Sequence, residues 1–228
     1  MTSGLSHTLR SDALDNRERI LDAARAVFAV AGLDVPMREV ARRAGVAPAT
    51  LYRRFPTKEM LVTEAFAEQM YACRAVVDEG LADPDPWRGF CLVIEKMCEL
   101  NARDGGFTAA LISTFPNAVD FDARREYALR SVAELARRAK EAGRLRPDFA
   151  LDDVILVLMA NSGIHAPSPT ARVAASRRFA ALAIQAFRAG PDASPLPPVA
   201  RLAPPAPVSR GLAERGDEDG PATGQPLQ

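Results

Sequence analysis

The stretch that decides the fold is residues 45–61, GVAPATLYRRFPTKEML. A glycine stands before a proline-led apolar segment, and a second proline followed by Thr57, Lys58 and Glu59 closes it. Pro48 suits the first position of a helix, where its missing N–H costs nothing. Pro56 forbids smooth continuation beyond Phe55. Leu51 and Phe55 are four residues apart and share one helix face. That leaves Thr50, Tyr52, Arg53 and Arg54 on the opposite face. A helix that only had to pack would not need a tyrosine and two arginines side by side.

The flanking residues explain the cluster. Upstream, 36–44 reads as a short helix with Pro36 at its first position and Val35 a weak cap. Val40, Ala41 and Ala44 turn inward, Arg38, Arg42 and Arg43 turn elsewhere, and Gly45 breaks the helix with Val46 as an apolar plug. Before it, a first helix is expected from Asp15 or Asn16, since Asp15 and Glu18 have capping-box spacing. Ile20, Ala24, Val27, Phe28 and Ala31 form its apolar stripe, and Gly32 ends it. Downstream, Thr57 can cap a fourth helix that carries Glu59 in its first turn. Three short helices with a glycine turn between the second and third make a helix-turn-helix, whose second helix fits the DNA major groove. Hydroxyls of Thr50 and Tyr52 suit phosphate oxygens, Arg53 can reach a guanine edge, and Lys58 sits at a helix N-terminus, itself a phosphate site.

Charge supports this reading locally. The 228-residue chain has 29 basic and 29 acidic residues, a formal net charge of zero. Between Pro36 and Lys58, however, six basic residues face the single acid Glu39. Such an excess bears on partners in a way the neutral total does not.

The composition, 48% hydrophobic and 25% charged, is that of a soluble globular protein; few β-branched runs alternate with period 2, only 6% of residues are aromatic, and an all-α fold is expected. Beyond the head, helices are expected at roughly 58–80, 86–103, 106–115, 119–142, 150–164 and 169–189, with Gly143 of EAGRLRPD as a stop. Three cysteines, Cys73, Cys91 and Cys98, are too few and too irregular for a disulfide scaffold and fit a reducing, cytoplasmic setting as small hydrophobes. No stretch is long and apolar enough to span a membrane. The first residues lack the apolar core of a signal peptide. Four regions follow: a loose arm, 1–14; the helix-turn-helix domain, 15–57; a helical regulatory and dimerisation domain, 58–189; and a tail, 190–228. That tail holds nine of the 18 prolines and is expected to be disordered.

At residues 19–62, RILDAARAVFAVAGLDVPMREVARRAGVAPATLYRRFPTKEMLV, the chain resembles the TetR family of bacterial transcriptional regulators. The resemblance implies a three-helix DNA-binding domain on a larger helical domain that binds a small ligand and forms a homodimer through its last two helices. Arg38, Ala49, Thr50, Tyr52, Arg53, Arg54 and Lys58 then match or neighbour positions that meet double-stranded operator DNA. Ala47 departs from the pattern, standing where a capping residue is common.

The dimer has a basis in the residues too. Helix 152–164 is apolar nearly all round from Val154 to Met159, and must be buried on more than one side. Val154, Ile155 and Leu158, with the following stripe Phe179, Leu182, Ala183 and Phe187, are the expected interface. Candidate lining for a hydrophobic effector pocket is Met70, Trp87, Phe90, Ile94, Met97, Phe107, Leu111, Phe115, Phe121 and Tyr127. The effector itself is not named by these residues. No cofactor, metal-ligand spacing, phosphate loop or nucleophile motif stands out, and an enzyme is disfavoured. The expected function is a repressor that binds a palindromic operator and is released by a small hydrophobic ligand. A regulatory domain that answers a protein partner, or an activator, remains open.

Overall fold

The computed structural model describes residues 3–103, 107–112, 119–191, 194–199 and 202, the side chains of 3–15, 109, 112 and 119–121 excepted. The described residues form helices α1 (Ser3–Ala31), α2 (Met37–Ala44), α3 (Pro48–Arg54), α4 (Lys58–Ala65), α5 (Ala67–Ala82), α6 (Pro86–Arg103), α7 (Phe107–Ile112), α8 (Val119–Glu141), α9 (Leu151–Ser162) and α10 (Pro169–Phe187). An isolated antiparallel bridge pairs Leu145 with Arg188.

The head is built as its punctuation requires. Gly45 adopts the left-handed conformation, φ 66°, that ends α2, and Val46 N–H reaches back to Ala41 O at 3.0 Å in the manner of a Schellman stop. Ala47 caps α3 with no side-chain hydrogen bond, and Pro48 takes its first turn. Thr57 Oγ1 accepts from Met60 N–H at 3.2 Å to start α4. Ile20, Ala24, Phe28, Val40, Ala41, Leu51 and Phe55 are buried together. Arginines of α1 bind this core to its neighbours. Arg19 donates to Ala44 O at 2.9 Å, at the end of α2; Arg25 donates to Ala65 O at 2.9 Å, at the end of α4; Arg17 pairs with Glu64.

Two expectations at the start of the chain are corrected. The helix does not begin at Asp15 or Asn16 but runs from Ser3, through most of the expected arm. Nothing between Gly4 and Gly32 is a glycine or proline, so no residue there stops it. Pro36 is the N-cap of α2, extended at φ −63° and ψ 143°, instead of its first helical residue.

The helical body is organised around α6, which packs on α5, α8, α9 and α10. Asp85 caps it, accepting from Trp87 N–H at 2.9 Å and Arg88 N–H at 3.2 Å. At the α5–α6 crossing Gly80 and Gly89 lie backbone to backbone. A Cβ on Gly89 would collide with Gly80 O, and one on Gly80 would stand 2.6 Å from Val93 Cγ2. The single helix expected over 58–80 is broken at Phe66, with φ −112° and ψ 15°. No glycine or proline causes the break; Phe66 is fully buried between Phe28 of α1 and Phe107 of α7, at ring-centroid distances of 6.3 and 6.2 Å.

The part of the tail that is described does not behave as a free segment. Arg146 donates to Ser194 O at 2.6 Å, Asp148 accepts from Leu196 N–H at 2.8 Å, and Asp152 accepts from Leu202 N–H at 2.6 Å. Residues 194–199, without regular secondary structure, are thus strapped to the turn before α9 through Ser194 and Leu196. The remainder of 190–228 lies outside the described residues.

Candidate DNA-binding interface and effector cavity

On α3 the two faces separate as the spacing requires. Leu51 and Phe55 are buried, while Tyr52 is 49% exposed, with Arg53 and Ala49 exposed beside it and Thr50 and Arg54 partly so. Arg38 of α2 is exposed as well. Among the described residues Arg38, Arg43, Arg53 and Arg54 make no hydrogen bond or ion pair, so their donors are open to an incoming polyanion. Arg42 differs: it holds Glu39 with Nε at 2.9 Å from Oε2, and that contact keeps the Glu39 carboxyl below the usual range. Lys58 is half-buried and donates to Leu33 O at 2.6 Å, tying the start of α4 to the turn after α1. It is therefore a bracing residue whose remaining two donors alone can meet a phosphate.

A segment whose apolar face is anchored by Leu51 and Phe55 leaves Thr50, Tyr52 and unpaired arginines free on its opposite face. Comparison with known proteins gives the chain a family. The family described as "Bacterial regulatory proteins, tetR family" matches residues 20–65. The HTH-type transcriptional regulator AqdR of Rhodococcus erythropolis is 30% identical over 153 residues, 65% of this chain and 72% of that protein. The chain belongs to the TetR family. Within that family, the HTH-type transcriptional repressor KstR of Mycolicibacterium smegmatis is 35% identical over 103 residues, 44% of this chain and 50% of KstR. The chain thus matches about half the length of that repressor. In fold, the ketosteroid transcriptional regulator KstR2 of Mycobacterium tuberculosis superposes with a TM-score of 0.58 at 18% identity, covering 76% of this chain and 95% of that one. As a TetR-family member the chain is a DNA-binding transcriptional regulator. Among its described residues no helix is long and apolar enough to cross a membrane.

The body of this TetR-family chain holds a small apolar cavity of about 20 Å³ between α5, α6, α8 and α9, with Leu111 of α7 at one side. Cys73, Val77, Val93, Met97, Ala128, Leu129, Val132, Leu151, Val154, Ile155 and Leu158 complete its wall. Of the expected lining, Met97 and Leu111 are the ones that take part among the described residues. Trp87 and Phe90 belong instead to an aromatic cluster with Phe149 and Phe187, where Phe90 and Phe149 meet edge to face at 5.3 Å. Met70, Ile94 and Phe107 are buried elsewhere in the core, and Tyr127 is half-buried with its hydroxyl on Asp78. Phe115 and the side chain of Phe121 lie outside the described residues. Burial pushes the thiols of Cys73 and Cys98 up to about 12, and Cys91 up to about 11 with the help of Glu95, so all three are neutral packing groups.

The expected dimer surface divides in two. Val154, Ile155, Leu158 and Phe187 are corrected: they turn into the protomer's own core, the first three against the cavity and Phe187 against Phe90 and Phe149. Phe179 and Ala183 are half-buried and Leu182 is 54% exposed. Leu156 and Met159 of α9, absent from the expected set, are 54% and 40% exposed. A helix apolar all round does not say which side its own body takes. His165 is exposed, with Nδ1 2.7 Å from Gly163 O.

Proposed function

We propose that this regulator binds a palindromic operator as a homodimer, represses the gene behind it and is released by a small, largely apolar molecule. The observation that carries the reading is the split of α3: buried Leu51 and Phe55 fix the helix, and exposed Tyr52 and Arg53 are left for the groove. Thr50 and Tyr52 meet phosphates and set the register, Arg53 reads a base edge, and Arg38, Ala49 and Arg54 line the approach. The repressor sense is supported by the similarity to the KstR repressors.

Dimerisation uses the outward face of α9 and α10, with Leu156, Met159, Leu182, Phe179 and Ala183 as its apolar patch. Two-fold symmetry then presents two copies of α3 to successive major-groove half-sites. The hinge for release is the α4–α5 break at Phe66. Arg17 and Arg25 tie α4 to α1, so a shift of α7 or α5 against Phe66 moves the head as a unit. The effector needs only to prefer one arrangement over the other.

The test is selection of random and genomic DNA by the purified protein, with Tyr52→Ala/Arg53→Ala as control. A palindromic site lost in the double variant supports the reading. No enrichment over the variant at low salt, where phosphate contacts are strongest, overturns it.

A further inference from the structure

Arg125 of α8 is the most anomalous charge among the described residues. Its side chain is only 3% exposed, yet among the described residues its one ionic partner is Asp122, with Nε and Oδ1 3.5 Å apart. Neither of those two buried atoms makes a hydrogen bond. A guanidinium carries five N–H donors and cannot shed its charge, so burial in this condition is costly. The chain shows elsewhere what a structural buried arginine does. Arg146, 9% exposed, holds Asp148 with two bonds at 2.5 and 2.9 Å and adds Ala186 O and Ser194 O. Arg125 is more deeply buried, and among the described residues it has only the 3.5 Å approach to Asp122.

Its position says what it can serve. Ala128, Leu129 and Val132 line the apolar cavity, and Arg125 precedes them by three, four and seven residues, on the same face of α8. From Val132 to Arg125 the helix rises roughly 10 Å. One face of α8 therefore presents an apolar track that ends in a buried cation whose Nε lacks a hydrogen bond. The cavity as it stands is about 20 Å³, far short of the several hundred Å³ of an occupied small-molecule site. Filling it must move α8 away from α5 and α6, the kind of displacement that can reach the hinge.

We propose that Arg125 is the anion end of the effector site: a small molecule with an apolar body and one carboxylate lies along α8, its body on Ala128, Leu129 and Val132 and its carboxylate on the guanidinium. The inference rests on the ligand-responsive reading above and narrows it to a chemical class. A carboxylate matches the fork of the guanidinium with two parallel hydrogen bonds. Asp122 balances the charge at a distance without occupying those donors.

The test titrates the full chain by calorimetry with decanoate, decanol and methyl decanoate, and with cyclohexaneacetate and cyclohexylethanol as a ring-bodied pair. In at least one body series the acid binds about tenfold or more tighter than its uncharged partner, the scale of one charge-assisted hydrogen bond. Arg125→Met abolishes that preference, and Asp122→Asn increases it by removing the competing carboxylate. Equal binding of acids and alcohols, no saturable binding of either acid, or a preference that survives Arg125→Met overturns the site. If Arg125→Met does not fold, Asp122→Asn decides alone: unchanged acid preference overturns the proposal. Operator release is assayed separately. An acid bound through Arg125 that leaves DNA in place sinks the ligand-release reading and spares the site. Release by an uncharged compound at the same concentration in wild type and Arg125→Met does the reverse.

Discussion

Phe66 and Phe107 meet with ring centroids 6.2 Å apart, and through Phe66 the regulatory body touches Phe28 of the DNA-binding head. All three rings are buried at the point where α4 gives way to α5. A contact there transmits displacement because packed interiors are close to incompressible. Phe107→Leu keeps most of the volume and should cost about 1 kcal/mol or less in stability. Operator affinity should stay within about twofold, since no DNA-facing side chain changes, while more effector is needed for release. Binding and release curves on one operator measure both. An unchanged effector requirement would remove Phe107 from the coupling path.

Arg53→Ala should weaken specific binding by about 1–3 kcal/mol and relax one base preference, as expected for loss of a bidentate guanine contact. Tyr52→Phe should instead weaken all sequences alike, the outcome expected for a hydroxyl assigned to phosphate. Affinities across a panel of single-base operator variants separate the two. Uniform loss in Arg53→Ala would reassign that side chain to the backbone.

Gly89→Ala should destabilise the protein by about 1–3 kcal/mol, the cost of overpacking, since its new methyl meets the rigid backbone carbonyl of Gly80. Thermal unfolding against the exposed control Gly190→Ala, where the added methyl meets nothing within 4 Å, checks this. Equal melting temperatures would mean that α5 and α6 can separate freely.

The contrast between these sites shows what was legible in the chain. The head was, because Gly45, Pro48, Pro56 and Thr57 punctuate it and each acts within one helical turn. The glycine crossing was not: Gly80 and Gly89 read as ordinary helix residues until α5 and α6 are brought together. Phe66 escaped for a related reason, since tertiary packing of three rings, with no local breaker, ends α4. The apolar helix α9 was recognised as buried, but 3.6-residue periodicity gives no sign of which face meets its own body. Arg125 carried no signal at all, because an arginine on a charged helix reads as solvated until its burial is measured.

Leu182→Arg and Leu156→Arg should each shift the protein toward monomer. They place a charge in an exposed apolar patch without disturbing the core, where Val154 and Leu158 already lie. Sedimentation velocity reads the oligomeric state, and operator affinity should fall in parallel because half-sites then bind singly. A variant that stays dimeric would move the interface away from this face.

The strap over 194–199 is held by polar contacts, since Leu196 and Val199 remain 43% and 47% exposed. Its anchor is Asp148, whose carboxyl is held well below the ordinary range, at about 2, first by the Arg146 hydrogen bonds and then by the Leu196 N–H. A carboxyl depressed on folding contributes stability that is complete above its unfolded value, about 3.9, and lost as pH falls through its folded one. The strap should therefore stay closed at neutral pH and loosen between about pH 4 and pH 2. Asp148→Asn, which keeps the shape but not the charge, should open it at neutral pH and remove that part of the acid dependence. Amide exchange at Leu196 reports the closure directly: protection lost in Asp148→Asn at pH 6 supports the anchor, and equal protection in both proteins shows that something other than this carboxylate holds the strap.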